Sequence, residues 1–366
     1  MAATPLAEII AAIIRREGPI GIDRYWDLAL FHREHGYYAS REPFGAGGDF
    51  VTAPDVSQMF GELIAAWLVA AWHGLGRPSP FVLAEIGPGR GTLMADILRT
   101  VRKLDLDFLK AARIALVETS ERLQRIQAER LESFDLPIRH VKRLADTEAL
   151  PLLLVANELF DAVAIRQFVR GDGVWHEIVV ELTGDDAFGF ALRRAPDGIE
   201  NSFPPELPPA VPGTTLEVSP QRDAISNTIA TRIAAHGGAA VMIDYGHAET
   251  AYGNTLQAMR DHAFADPLDA PGEVDVTSHV DFEALAKRFA AAGLSVAPVI
   301  GQGDFLIRLG LGERAAQLGR GRGDAEQAAI MAAAHRLCGL GEDEMGGLFK
   351  VLAVASKPLA LPPFDG

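Results

Sequence analysis

Glu85-Ile86-Gly87-Pro88-Gly89-Arg90-Gly91 joins one carboxylate to three glycines at alternate positions. Glycines let a backbone turn tightly and let a ligand approach without a Cβ in the way. A carboxylate two residues before the first glycine repels a pyrophosphate and attracts a cation. The phrase also departs from the dinucleotide pattern G-x-G-x-x-G. Gly87 and Gly89 fit it, but Thr92 holds the third place and the last glycine comes one residue early, at Gly91. The apolar run Phe81-Val82-Leu83 before it reads as a strand, and Thr92 to Leu98 after it as a helix. A glycine loop between a strand and a helix is where open α/β sheets hold nucleotide-type ligands.

Further polar residues fall at the ends of other apolar runs. Arg113–Val117 reads as the next strand and closes on Glu118, the place where an acid accepts the ribose hydroxyls of a nucleoside. Glu118 also suits the start of the amphipathic helix that runs from Thr119-Ser120-Glu121 to about Leu131. Leu152–Ala156 is continuously apolar, as expected of a strand covered on both faces. Asn157, Glu158 and Asp161 follow it, either as site residues or as helix caps. Ala240–Asp244 is a fifth strand that ends on Asp244. Asp49 and Thr52 lie in the glycine-rich stretch from Gly45 to Pro54, a long loop of the kind that serves as a lid. His279 stands beside Asp281.

The remaining elements place these residues. Residues 1–75 read as a helical N-terminal extension, with helices over Pro5–Glu17, Asp23–His32 and Val56–Trp72, and the lid loop between the last two. Thr4 is an N-cap, Pro5 a first helical residue and Gly18 a terminator. Residues 76–366 read as an α/β core, with Ile138–Lys142 as a third strand. Within it, 163–218 is an antiparallel insertion of short strands joined by Gly171-Asp172-Gly173 and Thr183-Gly184-Asp185-Asp186. Residues 246–280 read as a loop insertion. Leu294–Ile300 and Phe349–Ala355 are expected to close the sheet as an antiparallel pair.

Composition narrows the function. The chain has 366 residues, 48% hydrophobic and 23% charged, with a formal net charge of −15. That balance speaks against a phosphate-backbone partner, so nucleic acid is not expected. Cys338 is the single cysteine, so neither an internal disulfide nor a cysteine-built metal site is possible. No apolar run is long enough for membrane insertion. Leu6–Ile14 is short, and Arg15-Arg16 follow rather than precede it, unlike a signal peptide. A cytoplasmic protein is the expectation.

The pattern E-x-G-x-G-x-G at Glu85 to Gly91 resembles the first motif of class I S-adenosylmethionine-dependent methyltransferases. Other phrases narrow the resemblance to the MidA-like family, that of the mitochondrial complex I assembly factor 7. They are Gly48 to Pro54 with Ser57 to Glu62, Ala156 to Ala162, Asp244-Tyr245-Gly246, Asp275 to Phe282, Gln302 to Leu306 and Met345 to Leu352. The resemblance implies a Rossmann-like, seven-stranded sheet, S-adenosyl-L-methionine as cofactor, and methylation of an arginine in a protein, such as a complex I subunit. It implies that Glu85, Gly87, Gly89, Gly91, Glu118 and Asn157 hold the cofactor, with Asp49 and Thr52 closing over it. Glu158 and Asp161 would bind the guanidinium, with Asp244 facing the same sheet edge and His279 available to take a proton. Methyl transfer from a sulfonium requires no metal, and none is expected. A second copy of the chain is a further expected partner. Where relatives often carry a Thr-Leu-Arg-x-Tyr phrase, this chain has Thr255-Leu256-Gln257-Ala258-Met259, so its target peptide is expected to differ. A small-molecule methyltransferase and a non-catalytic assembly factor share the same loop. An NAD-dependent oxidoreductase does not, because Gly91 and Thr92 are in the wrong order for it.

Overall fold

The computed structural model describes residues 4–40, 51–184, 186–341 and 344–364. The apolar runs form strands β1 (Phe81–Ile86), β2 (Ala112–Val117), β3 (Ile138–Val141), β4 (Leu152–Asn157), β5 (Gly238–His247) and β6 (Phe349–Ala355). Their order is β6-β5-β4-β1-β2-β3, with the short strand Ser295–Val296 beyond β6; these seven are the ordered path of a nine-stranded sheet, in which Ile300–Gly301 also pairs with β6. β1 to β5 run parallel, and β6 pairs antiparallel with β5. Every residue of β4 is buried, which is why that run carries no polar alternation. The chain leaves β1 toward β2 and β3, then returns to the other side at β4. The crevice at the carboxyl ends of β1 and β4 is therefore the topological switch point, where such sheets bind ligands.

The chain divides into two compact units. One comprises Met1–Phe50, Phe160–Ala224 and Glu249–Val280; the other comprises Val51–Leu159, Ile225–Ala248 and Asp281–Gly366. The second holds the large sheet and the helices α1 (Gln58–Gly74), α2 (Thr92–Leu104) and α3 (Glu121–Leu131). Its core packs Phe81 and Trp72 edge-to-face against Phe108, at 4.9 Å and 5.5 Å between ring centroids. Gly61 lets α1 approach α2: a Cβ built on it would lie 2.5 Å from Asp96 Cβ. Asp96 is buried and paired with Arg99 at 2.8 Å, so it cannot simply swing away. Gly61→Ala is expected to destabilise the chain by about 1–2 kcal/mol, overpacking outweighing the gain in helix propensity. Thermal unfolding checks this, and an unchanged midpoint would contradict it.

The first unit has its own apolar core, built from Leu6, Ile10, Trp26, Leu30, Ile165 and Val180 among others. Helix Pro5–Glu17 starts as expected, with the Thr4 side chain accepting from Ala7 N. The strands Arg166–Arg170, Trp175–Leu182, Phe188–Arg194 and Thr215–Val218 form the antiparallel sheet, joined by Ile20–Gly21. The stretch 246–280 departs from its reading as loop. It contains a second small sheet of Gln257–Arg260, Ala263–Ala265 and Asp275–Thr277. These strands are only three or four residues long, too short for sequence periodicity to reveal them. No helix among the described residues is long and apolar enough to cross a membrane.

Candidate active site

Three left-handed glycines shape the loop after β1. Gly87, Gly89 and Gly91 have φ values of +67°, +51° and +76°, a region costly for residues with a Cβ. Gly91 is the N-cap of α2. Glu85, at the penultimate position of β1, is buried (3% exposed). It accepts a hydrogen bond from the Met94 backbone, while its Oε2 has no partner among the described residues. Burial pushes its carboxyl up to about 8, because the charged form loses its hydration.

Glu118 follows β2 at the same edge of the sheet. One of its oxygens accepts from Ser120 N at 2.7 Å and the other from Gln127 Nε2 at 3.3 Å. Burial raises its pKa, and the Ser120 and Gln127 hydrogen bonds oppose that rise. Asn157 ends β4 with Oδ1 buried and without a partner among the described residues, while its Nδ2 donates to Glu158 Oε1 at 2.9 Å.

The segment after β4 is a turn rather than the helix that the capping alternative for Asn157 and Glu158 requires. Glu158 adopts φ +50, and its N–H donates to the Ile243 carbonyl of β5 at 2.9 Å. A glutamate held in the left-handed region carries a backbone cost of about 1–3 kcal/mol, a kind of strain that clusters at functional sites. Asp244 is fully buried on β5, one residue past Ile243, the partner of Asn157. Its Oδ1 accepts from Tyr245 N.

Thr52 donates to Asp55, and Asp55 in turn accepts from Arg90 of the glycine loop at 2.8 Å. The end of the expected lid, through Thr52 and Asp55, is thus tied to that loop. Asp49 lies outside the described residues. Asp161 and His279 belong to the first unit, where the backbone of Asp161 accepts from Ser278 N. Burial pushes the Asp161 carboxyl up to about 6, and the Arg222 charge opposes the rise. Arg222 is buried (7% exposed) and donates to the carbonyls of Phe160 and His279, each at 2.8 Å, and to Ser278 Oγ at 2.7 Å. Sequence reasoning missed Arg222, Asp55, Arg90 and Gln127. The signal available for Gln127 was its place between Leu123 and Leu131 on the buried stripe of α3.

The model of a family described as "putative S-adenosyl-L-methionine-dependent methyltransferase" matches residues 63–300, more than half of the chain. The chain belongs to this methyltransferase family. The mitochondrial protein arginine methyltransferase NDUFAF7 homolog of Drosophila melanogaster is 34% identical over 309 residues, 76% of this chain and 68% of that protein. The Homo sapiens mitochondrial protein arginine methyltransferase NDUFAF7 is 33% identical over 335 residues, 85% and 74% of the two chains. A structure from Burkholderia thailandensis bound to S-adenosyl-homocysteine aligns with a TM-score of 0.81 at 26% identity. That alignment covers 97% of this methyltransferase and 95% of the other chain. The expectation of a cytoplasmic protein is corrected by these relatives, which are mitochondrial.

S-adenosyl-L-methionine is the cofactor of this methyltransferase, and the residues present fit it. The cofactor carries a sulfonium, an amino group and ribose hydroxyls. The crevice offers the buried, partnerless acceptors of Glu85 and Asn157 and the carboxylate of Glu118. A buried acceptor left without a donor costs about 1–3 kcal/mol, a cost that a donor-rich ligand removes.

Proposed function

We propose that the chain transfers a methyl group to an arginine of a protein, a subunit of respiratory complex I being the substrate in view. The observation that carries the reading is Glu158, a carboxylate fixed in strained geometry after β4, next to the cofactor-side Asn157 and close in register to Asp244. The relatives named as protein arginine methyltransferases support it.

When bound, S-adenosylmethionine supplies an electrophilic methyl group. The protein must present a nitrogen nucleophile in line with it, about 3 Å away. Arginine remains protonated at any working pH. Glu158 accepts two guanidinium N–H groups side by side, which fixes the plane of the group and draws positive charge onto the nitrogens it binds. The remaining nitrogen is then the better nucleophile. The proton it loses passes to Glu158 or to water. Asp161 as a further guanidinium acceptor and His279 as proton acceptor are proposed on the family resemblance alone.

Incubation with methyl-labelled S-adenosylmethionine and complex I subunits, followed by mass spectrometry, tests the proposal. Label is expected on arginine side chains of a protein. Glu158→Gln is expected to slow its appearance by about 100-fold, the loss of a charge-assisted bidentate contact. Label found in small molecules alone would overturn the arginine assignment.

A further inference from the structure

Gln127 is fully buried in the middle of α3, on the stripe Leu123, Gln127, Leu131 that packs inward. A buried amide in an apolar stripe must satisfy its donors. Its Nε2 donates to the Gly89 carbonyl at 2.8 Å and to Glu118 Oε2 at 3.3 Å. Gly89 sits in the loop after β1, and Glu118 in the segment after β2. The stem of Gln127 also runs along Gly91, whose Cβ, if present, would lie 3.5 Å from Gln127 Cγ.

We propose that Gln127 is a positioning residue for the cofactor: one amide nitrogen locks the glycine loop to the carboxylate that receives the ribose. The inference deepens the cofactor assignment and rests on Glu118 being the ribose acceptor. Both partners of the amide are pure acceptors, so the position demands a donor. A flipped amide would set oxygen against oxygen at both contacts. Glutamate, of the same shape, would set an ionised carboxylate against the Gly89 carbonyl and the Glu118 carboxylate. One proton taken up by the carboxyl pair would restore one of the two lost donors.

Calorimetric titration of the full chain with S-adenosylmethionine tests this, using Gln127→Glu, Gln127→Met and Glu118→Ala beside the wild type. Gln127→Met fills the space without hydrogen bonds and is expected to raise Kd about 10-fold, two neutral-donor contacts being lost. Gln127→Glu is expected to raise Kd about 100-fold or more at pH 8.5, the extra factor coming from like-charge repulsion. Its ratio to wild type should narrow about 10-fold by pH 6, as the carboxyl pair takes up a proton. A Gln127 that served packing alone would leave Gln127→Met, which fills the same space, binding like wild type. Kd values within about 3-fold of wild type for both variants would overturn the inference, as would a pH-independent loss in Gln127→Glu. Wild-type binding by Glu118→Ala would instead sink the ribose assignment. Loss of binding in Glu118→Ala with normal Gln127 variants would sink the positioning role alone.

Discussion

Gly89→Val is expected to weaken S-adenosylmethionine binding by at least about 100-fold while leaving the fold intact. Gly89 stands at φ +51, where a β-branched residue pays about 1–2 kcal/mol or more. The loop can relieve that strain only by moving, and movement breaks the contact of the Gly89 carbonyl with Gln127. Because the loop is local and the cores lie elsewhere, the far-ultraviolet circular dichroism spectrum should not change. Calorimetry with wild type and variant side by side reads the effect. Equal affinities would mean that the cofactor does not touch this loop.

The second large effect belongs to Glu85. In the free chain its carboxyl titrates at about 8 because it is buried. A cation brought beside it favours the charged form. Binding S-adenosylmethionine near pH 7 is therefore expected to release about one proton, visible as a dependence of the binding enthalpy on buffer ionisation enthalpy. Affinity should rise with pH up to about 8 and then level off. The sign for stability is opposite. A carboxyl whose pKa is raised on folding costs the free chain stability as pH climbs from the unfolded value of 4.5 through 8. Glu85→Gln removes that cost. It should raise the unfolding midpoint of the free chain at pH 8 by about 5 °C and lower cofactor affinity about 100-fold, the loss of a charge-assisted contact. Binding enthalpy independent of buffer, or a variant that binds like wild type, would show that Glu85 does not face the cofactor's charge.

The parts of this molecule that sequence reasoning recovers are those with a local physical cause. The run Leu152–Ala156 suits a doubly covered strand, and it is one. Thr4, Pro5 and Gly18 each carry out the capping role that their chemistry suggests. The Glu85–Gly91 phrase contains its own turn geometry, since three glycines at that spacing take the left-handed conformations observed. The parts that were missed depend on neighbours distant in the chain. Nothing local to Asn157-Glu158 says that Glu158 will bond Ile243, 85 residues later, and so turn instead of starting a helix. Arg222 is held by the carbonyls of Phe160 and His279, 62 and 57 residues away in the chain, which no local pattern announces. The small sheet at 257–277 is held by pairing between strands too short to carry a pattern.

A crystal structure of this chain with S-adenosylhomocysteine tests the cofactor site most directly. The expected result is a ligand at the carboxyl ends of β1 and β4, with ribose hydroxyls donating to Glu118, the amino-acid end beside Glu85, and Asn157 Oδ1 engaged. A ligand seated away from the loop of Gly87, Gly89 and Gly91, with Glu85 and Glu118 unchanged, would contradict the account.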